Sequence, residues 1–91
     1  MPRPVDGSQP RLAVGCRWGG DDEGKMILLP EGAIRVQGTG RKILERCDGQ
    51  NTFRKIVQEL QAHYTASEPA QIRDHVAAFL EQLQQKRIVD F

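Results

Sequence analysis

The fold is decided in residues 43–60, which read ILERCDGQNTFRKIVQEL. One amphipathic stretch ends at Asp48-Gly49, and a second begins within three residues, at Thr52. Glycine often ends a helix in the left-handed conformation, and threonine is a good residue to cap the start of one. The stretch therefore predicts two short helices packed at an angle. Both DNA-binding and peptide-binding proteins use this arrangement.

Apolar periodicity extends the pattern to three helices. The first is predicted over residues 39–47 and the second over residues 52–64. The third is predicted to be capped by Ser67, with Pro69 in its first turn, where a missing N–H is harmless. The second and third helices each carry one apolar stripe at spacings of three and four residues. The stripes are Phe53, Ile56, Val57, Leu60 and Tyr64, and then Ile72, Val76, Phe79, Leu80 and Leu83.

Three short strands are predicted before the helices. They are RLAVGCRW (residues 11–18), KMILLP (residues 25–30) and AIRVQ (residues 33–37). Leu12, Val14 and Cys16 alternate along one face of the first, and GGDDEG at residues 19–24 predicts an acidic loop. Such a sheet needs a helical layer to be stable. The sequence thus predicts an α+β fold, winged helix-turn-helix-like, with a three-stranded antiparallel sheet followed by three helices.

The length of 91 residues predicts one domain. Residues 1–10 contain three prolines and predict a flexible N-terminal tail, so the domain is expected over residues 11–91. The terminal RIVDF (residues 87–91) is expected to pack back onto it. The sequence has no apolar run of membrane-spanning length and no signal-peptide core, so we expect a cytoplasmic protein with no membrane partner.

The charge balance argues against a nucleic-acid binder, because such proteins are usually basic and this chain has 13 Lys and Arg against 12 Asp and Glu.

The reactive residues argue against an enzyme. His63 and His75 lie on different predicted helices without ligand partners at metal spacing, and Cys16 and Cys47 form no CxxC pair. QGTGRK at residues 37–42 lacks the spacing of a phosphate loop. We therefore expect free, buried thiols and a non-enzyme that holds neither metal nor cofactor.

The residues themselves leave two binding functions open. A DNA-binding protein would read bases with the polar face of the second helix, where Arg54, Lys55 and Gln58 lie. This face carries few positive charges for contacts with the phosphate backbone. A peptide-binding domain would instead offer the edge of the third strand, to which an extended peptide adds as a further strand. Backbone hydrogen bonds then give affinity, and side-chain pockets give specificity.

Four segments in order at these spacings resemble the PqqD family of pyrroloquinoline quinone biosynthesis. They are PRLAVGCRW (residues 10–18), MILLPEGAIRVQGTG (residues 26–40), ILERCDGQNTFRKIVQELQAHY (residues 43–64) and IRDHVAAFLEQLQQKRIVDF (residues 72–91). The resemblance implies a winged-helix-like peptide chaperone, of the type that recognises ribosomally made, modified peptides. Such proteins bind the precursor peptide PqqA and present it to PqqE, a radical SAM enzyme that crosslinks Glu and Tyr in the precursor.

The resemblance also implies where the peptide binds, since in this family it pairs with the third strand and lies against the third helix. The implied peptide-binding residues are Ala33, Ile34, Arg35, Val36, Gln37, Arg73, Val76, Ala77, Leu80, Leu83 and Gln84. Val76, Leu80 and Leu83 fit a role in the core equally well. No cofactor and no nucleic acid are expected to bind. A DNA-binding regulator, and a recognition domain of another modified-peptide pathway, remain the alternatives.

The chain departs from the family pattern in three places. Gln37-Gly38-Thr39-Gly40 replaces a typical helix cap, and two helical glycines each weaken a helix by about 1 kcal/mol. Lys86-Arg87 stands where the family often has glycine, and Lys55 replaces the acid of a capping box. The glycine-rich joint at residues 37–40 also predicts homodimerisation by strand exchange.

Overall fold

The computed structural model describes residues 3–21 and 24–91. A three-stranded antiparallel sheet of order β2-β3-β4 precedes three helices, which confirms the predicted α+β order. A second, two-stranded sheet joins β1 to β5 near the chain ends. The elements are β1 (Arg11–Leu12), β2 (Arg17–Asp21), β3 (Gly24–Leu29), β4 (Gly32–Val36), α1 (Gly38–Glu45), α2 (Phe53–His63), α3 (Pro69–Gln85) and β5 (Val89–Asp90).

The first predicted strand is wrong in its extent. Its alternation breaks at Gly15, which has a φ of 91°, and the Cys16 N–H donates to the Ala13 C=O at 2.9 Å. Val14 is consequently 97% exposed instead of lying on an apolar face. Residues 11–18 therefore contribute to two different sheets.

The acidic loop predicted at residues 19–24 is also wrong for most of its length. β2 continues to Asp21 and β3 starts at Gly24, and residues 22 and 23 lie outside the described residues. Gly19 belongs to the sheet because it has no side chain. A Cβ there would lie 2.7 Å from Leu28 of the neighbouring strand. Close packing at this position therefore outweighs the turn tendency of glycine.

The helices follow the predicted stripes, with differences at their ends. Thr52 caps α2 as predicted, since its Oγ1 accepts the Lys55 N–H at 3.1 Å. Ser67 does not cap α3, which begins after Glu68 without a side-chain cap and has Pro69 at its start. α1 ends at Glu45, short of the predicted Cys47. Both cysteines are free, Cys47 buried and Cys16 half-buried.

The core lies between β3, β4 and the three helices. The sheet contributes Ile27 and Val36, and the helices contribute the apolar stripes predicted from the sequence. Tyr64 and Phe79, the two aromatic members of those stripes, are only partly buried at its margin. Arg46 joins α1 to α2 by donating from its Nε to the Glu59 carboxylate at 2.6 Å. The sheet and helices thus form one layer packed on another.

Residues 3–10 lie along the helices. The Ser8 and Asp6 carbonyls accept the Phe53 and Arg54 N–H groups at 2.7 and 3.2 Å, and these are among the N–H groups that a helix start leaves without intrahelical partners. The Asp6 carboxylate also accepts from Arg73 at 2.7 Å. Residues 1 and 2 lie outside the described residues. The flexibility of residues 1–10 stays a prediction of the sequence.

The chain end packs back as predicted. Ile88 and Val89 are buried, and β5 pairs with β1. α3 ends where Arg87 adopts the left-handed conformation, with a φ of 60°, and the Ile88 N–H donates to the Leu83 C=O at 2.9 Å. This is the helix stop that usually carries glycine. The departure at Lys86-Arg87 therefore leaves the geometry of the helix end intact but places a strained residue in it.

We expect Arg87→Gly to raise the free energy of unfolding by about 1 kcal/mol, because glycine adopts the left-handed region without a Cβ penalty. Urea denaturation of the two proteins measures the difference. Lys86→Gly is the matched control, since Lys86 has a φ of −85° and gains nothing from glycine. Equal or lower stability of Arg87→Gly would contradict this reading of the helix end.

Candidate functional site

β4 forms one edge of the three-stranded sheet, since it pairs with β3 on one side only among the described residues. Pro30 and Glu31 make a two-residue turn between β3 and β4, so Leu29 and Gly32 are the first hydrogen-bonded pair. Hydrogen-bonded and non-hydrogen-bonded pairs alternate along an antiparallel ladder. Ala33 and Arg35 therefore direct their N–H and C=O groups away from β3, toward the free edge.

A cleft lies beside this edge, between β4 and α3. Its volume is about 220 Å³. We call it the edge cleft, and it is lined by Ile34, Arg35, Val36, Gln37, Gly40, Leu44, Phe79 and Leu83. Arg35 is the one charged residue among the described residues of this lining. The cleft thus combines unpaired backbone groups with apolar walls, which are the two components of peptide recognition by strand addition.

Gly40 sets the width of the edge cleft at its α1 side. A Cβ on Gly40 would lie 3.0 Å from the Phe79 Cζ, which is closer than side chains normally approach. Gly38, the first residue of α1, has a φ of 63°, a conformation that glycine adopts without strain. The two glycines that weaken α1 therefore have structural reasons. One turns the chain from β4 into the helix, and the other admits the Phe79 ring.

The structure brings five of the predicted residues together in the edge cleft. These are Ile34, Arg35, Val36, Gln37 and Leu83. Ala33 lies on β4, exposed, with its backbone on the free edge. Their role in peptide binding stays a prediction.

The remaining predicted residues lie elsewhere on α3. Val76, Ala77 and Leu80 are buried in the core, and Gln84 is half-buried outside the cleft lining. Arg73 lies about 120° round the helix from Phe79. Its guanidinium contacts the Asp6 carboxylate and stands 4.9 Å from the centre of the Phe53 ring. Arg73 therefore faces the N-terminal segment and not β4.

Sequence reasoning missed three lining residues, Gly40, Leu44 and Phe79. Phe79 belongs to the predicted apolar stripe of α3, so it was assigned to the core alone. Its spacing from Leu83 is four residues, which places both on one face of the helix. That spacing, taken together with the requirement that α3 face the third strand, is the signal that could have found it.

Among the described residues, two ionisable groups with shifted pKa values lie in the turn between α1 and α2. Burial raises the pKa of the Cys47 thiol to about 12, and the neighbouring Asp48 carboxylate adds to the rise, so the thiol stays protonated and unreactive. Backbone N–H groups of Asn51 and Gln50 lower the pKa of Asp48 by donating to its carboxylate. Both groups lie outside the edge cleft, and the Asp48 carboxylate stabilises the turn by accepting these two N–H groups.

Protonation of Asp48 is expected to contribute to the loss of folding stability at acid pH. Its folded pKa is below its usual value of 3.8, so its contribution is complete above the unfolded pKa and is lost as the pH falls through the folded one. We expect Asp48→Asn to flatten the loss of stability below about pH 4. Urea midpoints between neutral and acid pH measure this. Asp74→Asn, an exposed site on α3, is the control, and identical slopes for Asp48→Asn and the parent would contradict the assignment.

Neither a metal site nor a membrane span is found where the structure can be described. Residues 3–21 and 24–91 hold no cluster of three or more His, Cys, Asp or Glu side chains that could bind a metal ion. In the same residues, no helix has both the length and the apolarity that crossing a bilayer requires.

Comparison with known proteins decides the family. The profile of the family described as "Coenzyme PQQ synthesis protein D (PqqD)" matches residues 24–89. The chain belongs to the PqqD family. The match includes β3, β4 and all three helices, and so contains every residue that lines the edge cleft.

Curated relatives of this PqqD-family chain carry the name "PqqA binding protein". One from Xanthomonas euvesicatoria is 32% identical over 84 residues, which cover 90% of each chain. One from Methylococcus capsulatus is 41% identical over 51 residues, and this match spans about half of each, 56% of this chain and 55% of the relative. These relatives are named for binding PqqA.

A solved structure shares the whole fold. It is the solution NMR structure of the PqqD truncation of Methylobacterium extorquens PqqCD, which represents a functional, stand-alone recognition element for ribosomally synthesised and post-translationally modified peptides. The TM-score is 0.74 at 29% identity, and the match covers 96% of this chain and 94% of that one. The structural likeness therefore extends beyond the part matched by the family profile.

Proposed function

We propose that this chain is a peptide chaperone of pyrroloquinoline quinone biosynthesis. It binds the precursor peptide PqqA by strand addition to β4 and presents it to the radical SAM enzyme PqqE. Membership of the PqqD family and the relatives named for binding PqqA support the first half. The partnership with PqqE follows from the family resemblance.

The observation that carries the binding mode is the edge cleft itself. Ala33 and Arg35 have free backbone groups along β4. Phe79 and Leu83 of α3 line the same cleft, whose volume is about 220 Å³. An extended peptide would satisfy the free groups with ladder hydrogen bonds, and alternate side chains of the peptide would enter the cleft. The other edge, β2, lines none of the cleft.

The chain itself has no catalytic role in this proposal. It holds no cofactor, and pyrroloquinoline quinone is the end product of the pathway. The cytoplasm is the location we propose, because the precursor is made on ribosomes there. The chemistry belongs to the maturase, and the PqqD-like chain supplies the position of the peptide.

A titration of the labelled protein with synthetic PqqA tests the proposal. Saturable binding at micromolar peptide, absent with a scrambled peptide of the same composition, is the expected result. Retention on duplex DNA or heparin with a steep salt dependence, and no binding of PqqA, would instead favour a DNA-binding regulator. Binding of a different modified-peptide precursor in place of PqqA would move the chain to another pathway.

We also propose homodimerisation by strand exchange. β2 pairs with β3 and β3 pairs with β4, and Gln37 joins this sheet directly to α1, which begins at Gly38. Rotation at this joint would let the sheet of one chain cover the helices of another with the same contacts. We expect a dimer that grows with concentration and exchanges subunits slowly in light scattering. A strictly monomeric sample at millimolar concentration would contradict it.

A further inference from the structure

A second cavity lies beyond the C-terminal end of β4, with a volume of about 320 Å³. We call it the flank pocket, and its lining is Thr39, Leu60, Tyr64, Ser67, Gln71, Ile72, His75 and Val76. Leu60, Ile72 and Val76 are buried and form an apolar floor. The other five side chains carry hydroxyl, amide or imidazole groups. The flank pocket therefore differs from the edge cleft, whose walls are mainly apolar.

The flank pocket continues the edge cleft along α1 and α3. Thr39 lines the pocket and Gly40 lines the cleft, so consecutive residues of α1 contribute to both. On α3, His75 and Phe79 are one turn apart, on the same face of the helix. The Phe79 ring packs against Gly40 in the edge cleft, and Gly40 directly follows Thr39 of the flank pocket.

The distance between the edge cleft and the flank pocket can be spanned by one extended peptide. His75 and Leu83 are eight residues apart on α3, which corresponds to about 12 Å along the helix axis. An extended chain advances about 3.3 Å per residue. A peptide paired with Ala33 and Arg35 and continuing past Gln37 would thus reach the flank pocket with a residue about four positions beyond the paired segment.

The lining favours a side chain that accepts hydrogen bonds. Thr39 Oγ1 donates to Tyr64 Oη at 3.1 Å. Two hydroxyls that share one hydrogen bond keep a second proton to donate. Gln71 and His75 add N–H donors, and no carboxylate of the described residues lines the pocket. Hydrogen bonds donated to an ionised acceptor are the stronger ones, so a carboxylate gains more from these donors than a neutral polar or an apolar side chain.

We propose that the flank pocket binds an acidic side chain of the same peptide, located about four residues outside the segment that pairs with β4. Tyr64 Oη and the side chains of Gln71 and His75 donate to its carboxylate, and Ile72 and Val76 contact its methylene groups. The proposal rests on the proposed function, since the edge cleft must hold the neighbouring segment. It assigns a second specificity-determining subsite to the recognition of the precursor.

The test compares pocket and cleft variants against synthetic PqqA peptides of different lengths. Tyr64→Phe removes one hydroxyl, and His75→Ala and Gln71→Ala remove exposed groups, so all three should fold. We expect each to weaken binding of the full peptide at least about tenfold, the effect of one lost charge-assisted hydrogen bond. Gln85→Ala is the matched control for Gln71→Ala, because Gln85 is also exposed on α3 but lines neither cavity.

Peptide length separates this inference from the proposed function. Shortening the peptide from the end that leaves β4 past Gln37 should weaken binding and should abolish the effect of His75→Ala. Replacing the acidic residue in that flank with alanine should do the same. If His75→Ala, Gln71→Ala and Tyr64→Phe all bind the full peptide as the parent does while Phe79→Ala weakens binding, the flank pocket proposal is wrong and the edge cleft stands. If Phe79→Ala also binds normally, both proposals fail.

Discussion

Replacing Arg35 with proline should reduce PqqA binding at least about 30-fold and leave the domain folded. The Arg35 N–H is directed away from β3, so its loss breaks no ladder hydrogen bond of the sheet. The proline ring would occupy the free edge, where a peptide strand would pair. The peptide would then lose a backbone hydrogen bond and keep an unsatisfied carbonyl, a cost of about 2 kcal/mol or more.

Two control variants make this result specific. Arg35→Ala keeps the backbone N–H and should bind within a few-fold of the parent, which separates the backbone from the guanidinium. Ile34→Pro removes an N–H that pairs with Ile27 and should destabilise the sheet itself. Titration calorimetry measures affinity, and circular dichroism verifies folding. Unchanged affinity in a folded Arg35→Pro protein would exclude strand addition at β4.

Leu80→Ala should lower the free energy of unfolding by about 3 kcal/mol, because it empties a fully buried site in the core. The neighbouring Phe79→Ala should do less to stability, since its ring is partly exposed in the edge cleft, but should weaken peptide binding about tenfold. The two variants therefore distinguish a core residue from a cleft residue on the same helix. They also address Leu80, for which the sequence allows either role.

Urea denaturation and peptide titration at low temperature measure both effects in parallel. A small domain with about 5 kcal/mol of stability keeps most Leu80→Ala molecules folded, so their affinity can be measured. We expect that affinity to match the parent after correction for the unfolded fraction. A Leu80→Ala protein of normal stability with weak binding would place Leu80 in the binding site and contradict the packing described above.

The sequence predicts the layer order because its apolar periods are unambiguous. The stripe from Phe53 to Leu60 permits only one buried face, and the glycine at Gly49 marks the turn before it, with a φ of 79°. The errors fall where local signals compete with packing. Gly19 resembles a loop residue but lies in β2 beneath Leu28, and Gly15 interrupts an alternation that otherwise resembles one strand.

The candidate site was predicted for its strand better than for its helix. Along β4 the alternation of Ile34, Arg35 and Val36 determines the faces, and the structure retains it, with Arg35 exposed and Val36 buried. Along α3 the family resemblance indicated candidate residues for contact with the peptide, but not on which side of the helix each of them lies. Arg73 therefore lies toward the N-terminal segment, and Phe79 lies in the cleft. The angle depends on how three helices pack, which no single stripe determines.

Hydrogen exchange at the Ala33 and Arg35 amides, with and without saturating PqqA, tests strand addition most directly. Both N–H groups face the free edge in the unbound chain and should exchange fast, whereas Ile34 and Val36 are held by β3. Binding by strand addition should strongly lower the hydrogen-exchange rates of the β4 amides that pair with the peptide. Unchanged exchange at Ala33 and Arg35 at saturation, with slowing along β2 at Arg17–Asp21 instead, would contradict the account.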